Sequence, residues 1–194
     1  EQGGRFFVVT GVPNSGKSTW TDWLLVQQAE RYGHKAALFS PETNPWQLHA
    51  QRLAEIHIGR SWRHMNMEEK VAAVDFCGRH FTHIVPDEQD DKEVNPTLDW
   101  LIEQVRLVVL RDGVRNVLID PWNELEHVPS GNESLTAYTN NAIRRLKRLC
   151  GRHGINLFLV AHPRKMQPGD IPTGYSISDS AAFFNKGDFG ITIH

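Results

Sequence analysis

Short apolar runs alternate along this chain with longer stretches in which apolar residues recur every three or four positions. The runs are Arg5–Thr10, Lys35–Ser40, Thr82–Val85, Arg115–Asp120, Ile155–Ala161 and Phe189–His194. Their length and their content of Val, Ile, Leu and Phe predict strands. A first helical pattern runs from Lys17 to Tyr32 and closes at Gly33, a favoured residue just past a helix end. A second spans Pro45 to about Ile58, with Pro45 suited to the first helical position. A third begins after Asn66, where Glu69 completes a capping box. A fourth starts at Asn95-Pro96, carries Leu98, Leu101, Ile102, Val105 and Val109 on one face, and stops at Gly113. A fifth covers about Ser134 to His153, with Leu135, Tyr138, Ala142, Leu146 and Leu149 in register, and ends at Gly154. Strand and helix alternate throughout, which predicts crossover units and a mostly parallel sheet with helices on both faces. The unbroken apolar stretches Val117-Leu118-Ile119 and Leu157–Val160 suit fully buried parallel strands.

Composition narrows the class. A chain of 194 residues with 40% hydrophobic and 23% charged positions is read as a single α/β domain over residues 1–194. It stops inside a strand-like run, so a fragment of a longer chain is expected. The net charge of −2 supplies no global basic field, so any nucleic-acid contact must come from a local patch or from assembled subunits. Cys77 and Cys150 are too few for a disulfide framework and suit a reduced, cytoplasmic setting. No apolar run approaches the ~20 residues that span a bilayer, and the first residues lead into a strand rather than a signal peptide. The acidic segment Asp87–Glu93 reads as a solvated loop.

The chemistry starts at Gly11-Val12-Pro13-Asn14-Ser15-Gly16-Lys17-Ser18, followed by Thr19. This G-x-x-x-x-G-K-S motif sits directly after a strand and opens a helix. That context makes a phosphate cradle: loop N–H groups face phosphate oxygens, Lys17 supplies a point charge, and the Ser18 hydroxyl is placed to ligate Mg²⁺. In open α/β sheets ligands collect at the carboxyl ends of the strands, and three further ends carry polar groups. Asp120 follows Asn116–Ile119, a buried strand ending in an acid, and would hold magnesium through water; the alternative is an Asp capping the turn at Pro121. Glu42 follows Ala36–Pro41 and is either a base for the attacking water or an exposed loop residue. His162 ends Leu157–Ala161; taken alone, it reads as a capping histidine before it reads as a phosphate sensor.

The set Gly11–Ser18, Phe39-Ser40-Pro41-Glu42, Leu118–Glu124 and Val160–Lys165 resembles the RecA-type ATPase core of the hexameric replicative helicases. These are the DnaB family, especially its Twinkle and phage primase–helicase branch. The likeness covers nearly the whole chain in the right order, and Ser178–Asp188 resembles the last core motif. The resemblance implies a RecA-like P-loop fold that uses ATP or another nucleoside triphosphate with Mg²⁺. Lys17 and Ser18 would serve phosphate and metal, Asp120 would be the Walker B acid and Glu42 the catalytic base. His162 would stand where many members carry Gln, as the γ-phosphate sensor. The loop from Pro163 to Ile177 would meet single-stranded DNA in the channel of a ring, expected to be a hexamer in the full-length protein. Arg164 and Lys165 are candidates for backbone contact there, or simply charges on a solvated loop. The sequence departs from the family in lacking a clear arginine finger before His194, a primase or zinc domain, and a linker helix.

Rival classes are a RecA-type recombination or regulatory ATPase, a small-molecule kinase, and a nucleotide-gated assembly module. Cys77, His80 and His83 have a metal-like spacing but no fourth ligand. Arg144, Arg145, Lys147, Arg148 and Arg152 form a basic helix surface that suits solvent or a subunit contact. Trp20 and Trp23 share a helix face and are expected in the core or an interface.

Overall fold

Two strands of this protein have no solvent-facing side. All residues of β2 (Ala36–Phe39) and β4 (Asn116–Ile119) are buried, which requires cover on both faces of the sheet. The computed structural model describes residues 4–86, 96–129, 131–164, 170–177 and 182–194. Within them the remaining strands are β1 (Phe6–Thr10), β3 (Phe81–His83), β5 (Asn156–Val160) and β6 (Phe189–Thr192). The helices are α1 (Lys17–Tyr32), α2 (Trp46–Ile58), α3 (Met67–His80), α4 (Leu98–Asp112), α5 (Leu135–His153) and α6 (Ala182–Lys186). The strands form one sheet in the order β3-β2-β4-β5-β1-β6, and every pair is parallel.

Alternation within each strand sorts the core into two layers. Ala37, Phe39, Val117, Ile119, Leu157 and Leu159 join Leu101, Val105, Ile143 and Leu146 of α4 and α5. Ala36, Leu38, Leu118, Phe158 and Val160 face the other way, onto Leu25, Val26, Leu53 and Phe76 of α1, α2 and α3. The predicted α/β architecture with helices on both faces is therefore the one observed.

Local chemistry explains the helix ends. α1 has the limits read from the sequence. The Asn66 side chain accepts from Glu69 N at 2.9 Å while Glu69 Oε2 accepts from Asn66 N at 2.8 Å, so the capping box on α3 is formed. Pro45 is not the first helical residue. Its ψ of 153° is extended, so it precedes α2 as the cap and Trp46 opens the helix. The fourth helix starts later than Asn95-Pro96: Thr97 Oγ1 accepts from Trp100 N, making Leu98 the first residue. Asn95 and Asp87–Glu93 lie outside the described residues. Trp20 packs against the core, but Trp23 is 47% exposed and is not a core residue. Leu135, expected in the apolar register of α5, is also exposed, because it occupies the first turn before the helix meets the sheet.

Parallel register brings the carboxyl ends of β1, β2, β4 and β5 to one edge. Val9 pairs with Val160, and Ile119 pairs with both Phe39 and Leu159. The turns that leave this edge carry Gly11, Glu42, Asp120 and His162.

Candidate active site

The turn after β1 is shaped by two glycines and a lysine. A Cβ on Gly11 would lie 2.2 Å from the Ile193 carbonyl oxygen and 2.6 Å from Ser15 Oγ, so no larger residue fits. Gly16 has φ of 87°, a left-handed conformation that lets the loop turn into α1 without a side chain. No side chain caps α1, so its first N–H groups remain for a ligand. The Lys17 Nζ reaches back into the loop and donates to the carbonyls of Gly11 and Val12, at 2.9 Å each. Burial pulls the Lys17 pKa below its ordinary value, against the opposing pull of Asp120 and Glu42. Ser15 Oγ is buried with no hydrogen-bond partner, an unmet polar atom inside the cradle.

Around this loop the strand ends close a cleft of about 610 Å³ lined by Pro13, Asn14, Gly16, Lys17, Ser18, Thr19, Glu42, Asp120 and His162. The structure thus gathers in one place Glu42, Asp120 and His162 with most of the predicted loop residues. Asp120 is only 3% exposed. Its pKa is raised by burial, while the hydrogen bond from Ser18 acts in the opposite direction. Glu42 and His162 face each other across the opening, with Oε1 and Nε2 3.4 Å apart. The His162 Nδ1 is buried and unpartnered.

A hydroxyl and a carboxylate side by side, next to a lysine and a row of helix N–H groups, suit a polyphosphate with a divalent cation. Ser18 and Asp120 are the donors that would hold the metal. Glu42 is the exposed carboxylate, free to meet a water molecule at the mouth.

The predicted DNA contacts are less defined. Arg164 is exposed at the base of its loop, where its N–H donates to Ser176 O at 2.7 Å and Pro163 bridges Ile177. Lys165 lies outside the described residues, as does Ser178–Ala181 of the last motif. Asp188, from the same motif, accepts from Phe6 N at 2.8 Å and from Lys147 Nζ at 2.9 Å, anchoring β6 beside β1. Cys77, His80 and His83 have different partners: Cys77 faces Ala50 O, His80 lies on Phe76, and His83 lies on Trp46 and His49. A larger groove of about 760 Å³, lined by Trp46, Trp62, Cys77 and Phe81 among others, lies away from the P-loop.

The sequence reading missed one polar cluster next to this site. Asp22, one helical turn after Ser18, is fully buried and bonded to His49 and Arg52. The available signal was its register: Asp22 interrupts the apolar stripe of Leu25, Val26 and Ala29.

Fold and site together define a P-loop nucleoside triphosphatase with a RecA-like parallel sheet. A family model described as "ATPase: KaiC" matches residues 2–164. The chain belongs to this KaiC-type ATPase family. It is 38% identical over 202 positions to the Twinkle homolog protein, chloroplastic/mitochondrial, of Arabidopsis thaliana. That alignment takes in 98% of this chain and 28% of the relative, so the chain spans little more than a quarter of it. Among solved structures, one ATPase domain superposes with a TM-score of 0.75 at 15% identity, covering 97% of this chain and 68% of that one. A DnaB-like replicative helicase, solved for its interactions with primase, gives 0.73 at 13% identity, covering 96% and 48%. At those identities the likeness establishes the fold.

Proposed function

We propose that this chain is the motor domain of a longer, ring-forming replicative DNA helicase. It hydrolyses ATP or another nucleoside triphosphate and couples hydrolysis to movement along single-stranded DNA. The observation that carries the reading is the convergence of Lys17, Ser18, Glu42, Asp120 and His162 on one cleft. The relative named as a Twinkle homolog supports the helicase assignment.

The P-loop N–H groups and Lys17 grip the β- and γ-phosphates, with Lys17 exchanging its carbonyl partners for phosphate oxygens. Ser18 and Asp120 would hold magnesium, which when bound would supply positive charge against the phosphates. Glu42 orients a water molecule for in-line attack on the γ-phosphorus and takes its proton as the bond to the leaving oxygen breaks. His162, beside Glu42, registers the γ-phosphate and passes its loss to the loop that begins at Pro163. An arginine from a neighbouring subunit completes the site in a ring, and Arg164 and Lys165 meet the DNA backbone. Both cysteines are free; their thiols fit a reduced compartment, whether bacterial cytoplasm or an organelle like that named for the relative.

The test is hydrolysis by the full-length protein with and without single-stranded DNA, wild type beside Glu42→Gln. DNA should stimulate the wild type. Glu42→Gln should lose hydrolysis by roughly 10²-fold or more, the loss expected for a general base, while still binding nucleotide. Absence of stimulation in the assembled protein would overturn the helicase reading. The family match, to an ATPase model, is compatible with one second reading, a regulatory RecA-type ATPase. That reading predicts hydrolysis indifferent to DNA, so the same assay separates the two.

A further inference from the structure

Asp22 occupies a position where the pattern of α1 requires an apolar residue, and it has 0% exposure. A buried carboxylate is strongly disfavoured unless its oxygens are engaged. Two donors from α2 engage them. Arg52 Nε donates to Oδ2 at 2.6 Å, and His49 Nε2 meets Oδ1 at 2.9 Å. His49 is 1% exposed, and its ring meets His83 edge-on at 5.2 Å. His83 in turn lies 5.1 Å from Trp46. A column of polar and aromatic groups therefore joins α1 to the start of α2 and to β3.

The position of this column gives it a role. α1 opens with Lys17 and Ser18, one turn before Asp22. α2 opens at Trp46, directly after the turn that carries Glu42. Apolar ridge-and-groove packing sets the crossing of two helices only to within about 15–20°. Two hydrogen bonds to the separate oxygens of one carboxylate restrict both separation and rotation, because hydrogen bonds weaken steeply off their preferred geometry.

We propose that Asp22, gripped by Arg52 and His49, is a positioning residue that sets Glu42 against Lys17 and Ser18. The inference rests on the reading of Glu42 as the base that activates water. A misplacement of about 1 Å in such a geometry costs about 10²-fold in rate.

The experiment uses the full-length protein. Asp22→Asn keeps the size of the side chain and one acceptor oxygen but removes its charge. The expected result is a fall in kcat of DNA-stimulated hydrolysis by about 10- to 100-fold, with KM for nucleotide within about three-fold of wild type. His49→Gln, whose amide can donate to the same oxygen, should keep most of the activity, whereas His49→Leu should lose about ten-fold. A purely structural role would instead lower the fraction of nucleotide-binding sites and leave kcat per site unchanged, which overturns the proposal. Hydrogen exchange supplies a readout independent of turnover. In Asp22→Asn it should quicken across residues 40–48 while β4 and β5 keep their protection. Unchanged exchange over residues 40–48 also overturns the proposal, even if the wild type hydrolyses nothing; absent hydrolysis overturns the motor reading instead.

Discussion

Asp120 stabilises the protein least when it is charged. Burial raises its pKa above the ordinary value. A carboxyl with a folded pKa above its unfolded one costs stability once pH passes the unfolded value, about 3.9. At pH 7, Asp120→Asn should therefore raise the melting temperature measured by calorimetry without nucleotide, by about 2–4 °C for each kcal/mol relieved. The same variant should lose magnesium-dependent hydrolysis, so one substitution improves stability and removes activity. His83 works in the opposite pH direction. Burial pushes its pKa from 6.5 down to about 4. The unfolded chain then binds more protons between those values, so stability is lost as pH falls from about 6.5 to about 4. The His49 ring faces His83 and opposes its protonation, while Asp22 beyond favours it. Denaturant midpoints at pH 7 and pH 5 should differ more for the wild type than for His83→Gln. Gly11 shows how close the loop lies to β6. Its substitution by Ala should weaken nucleotide binding at least ~10-fold in an equilibrium titration, because the added carbon collides with the Ile193 backbone oxygen, which cannot rotate aside as the Ser15 side chain can.

Elements were legible where a local rule acts alone. α1 could be bounded from sequence because a glycine in left-handed conformation sits just outside each end. The capping box of α3 was legible from Asn66 and Glu69 by spacing. Its contribution is testable: Asn66→Ala should cost about 1 kcal/mol in chemical denaturation, the usual value of a lost cap. Pro45 was off by one residue because a helix-compatible φ does not decide ψ. The four strand ends of the site were readable because parallel strands align their carboxyl ends whatever the loops between them do. The union of Asp22 with His49 and Arg52 was not readable. Periodicity says which side of a helix is buried but not which helix covers it, and these partners lie 27 and 30 positions away.

At the scale of the molecule, topology decides what depends on what. β1 carries the phosphate loop at its end, and its ladder partners are β5 and β6. A chain ended before Asn156 would keep the whole G-x-x-x-x-G-K-S motif and lose both neighbours of its strand. It should fail to bind nucleotide and should associate through the exposed Phe6–Thr10 edge, as measured by nucleotide titration and light scattering. The same order sets a timetable for synthesis on the ribosome. Among the described strands the first to be translated waits for the last two, so its pairing joins residues more than 140 positions apart in the chain. Until Phe189–Thr192 has left the exit tunnel, the nascent chain has no settled grip on phosphate. Nucleotide can then act on this protein only after these strands have paired, and not as a template for its early folding.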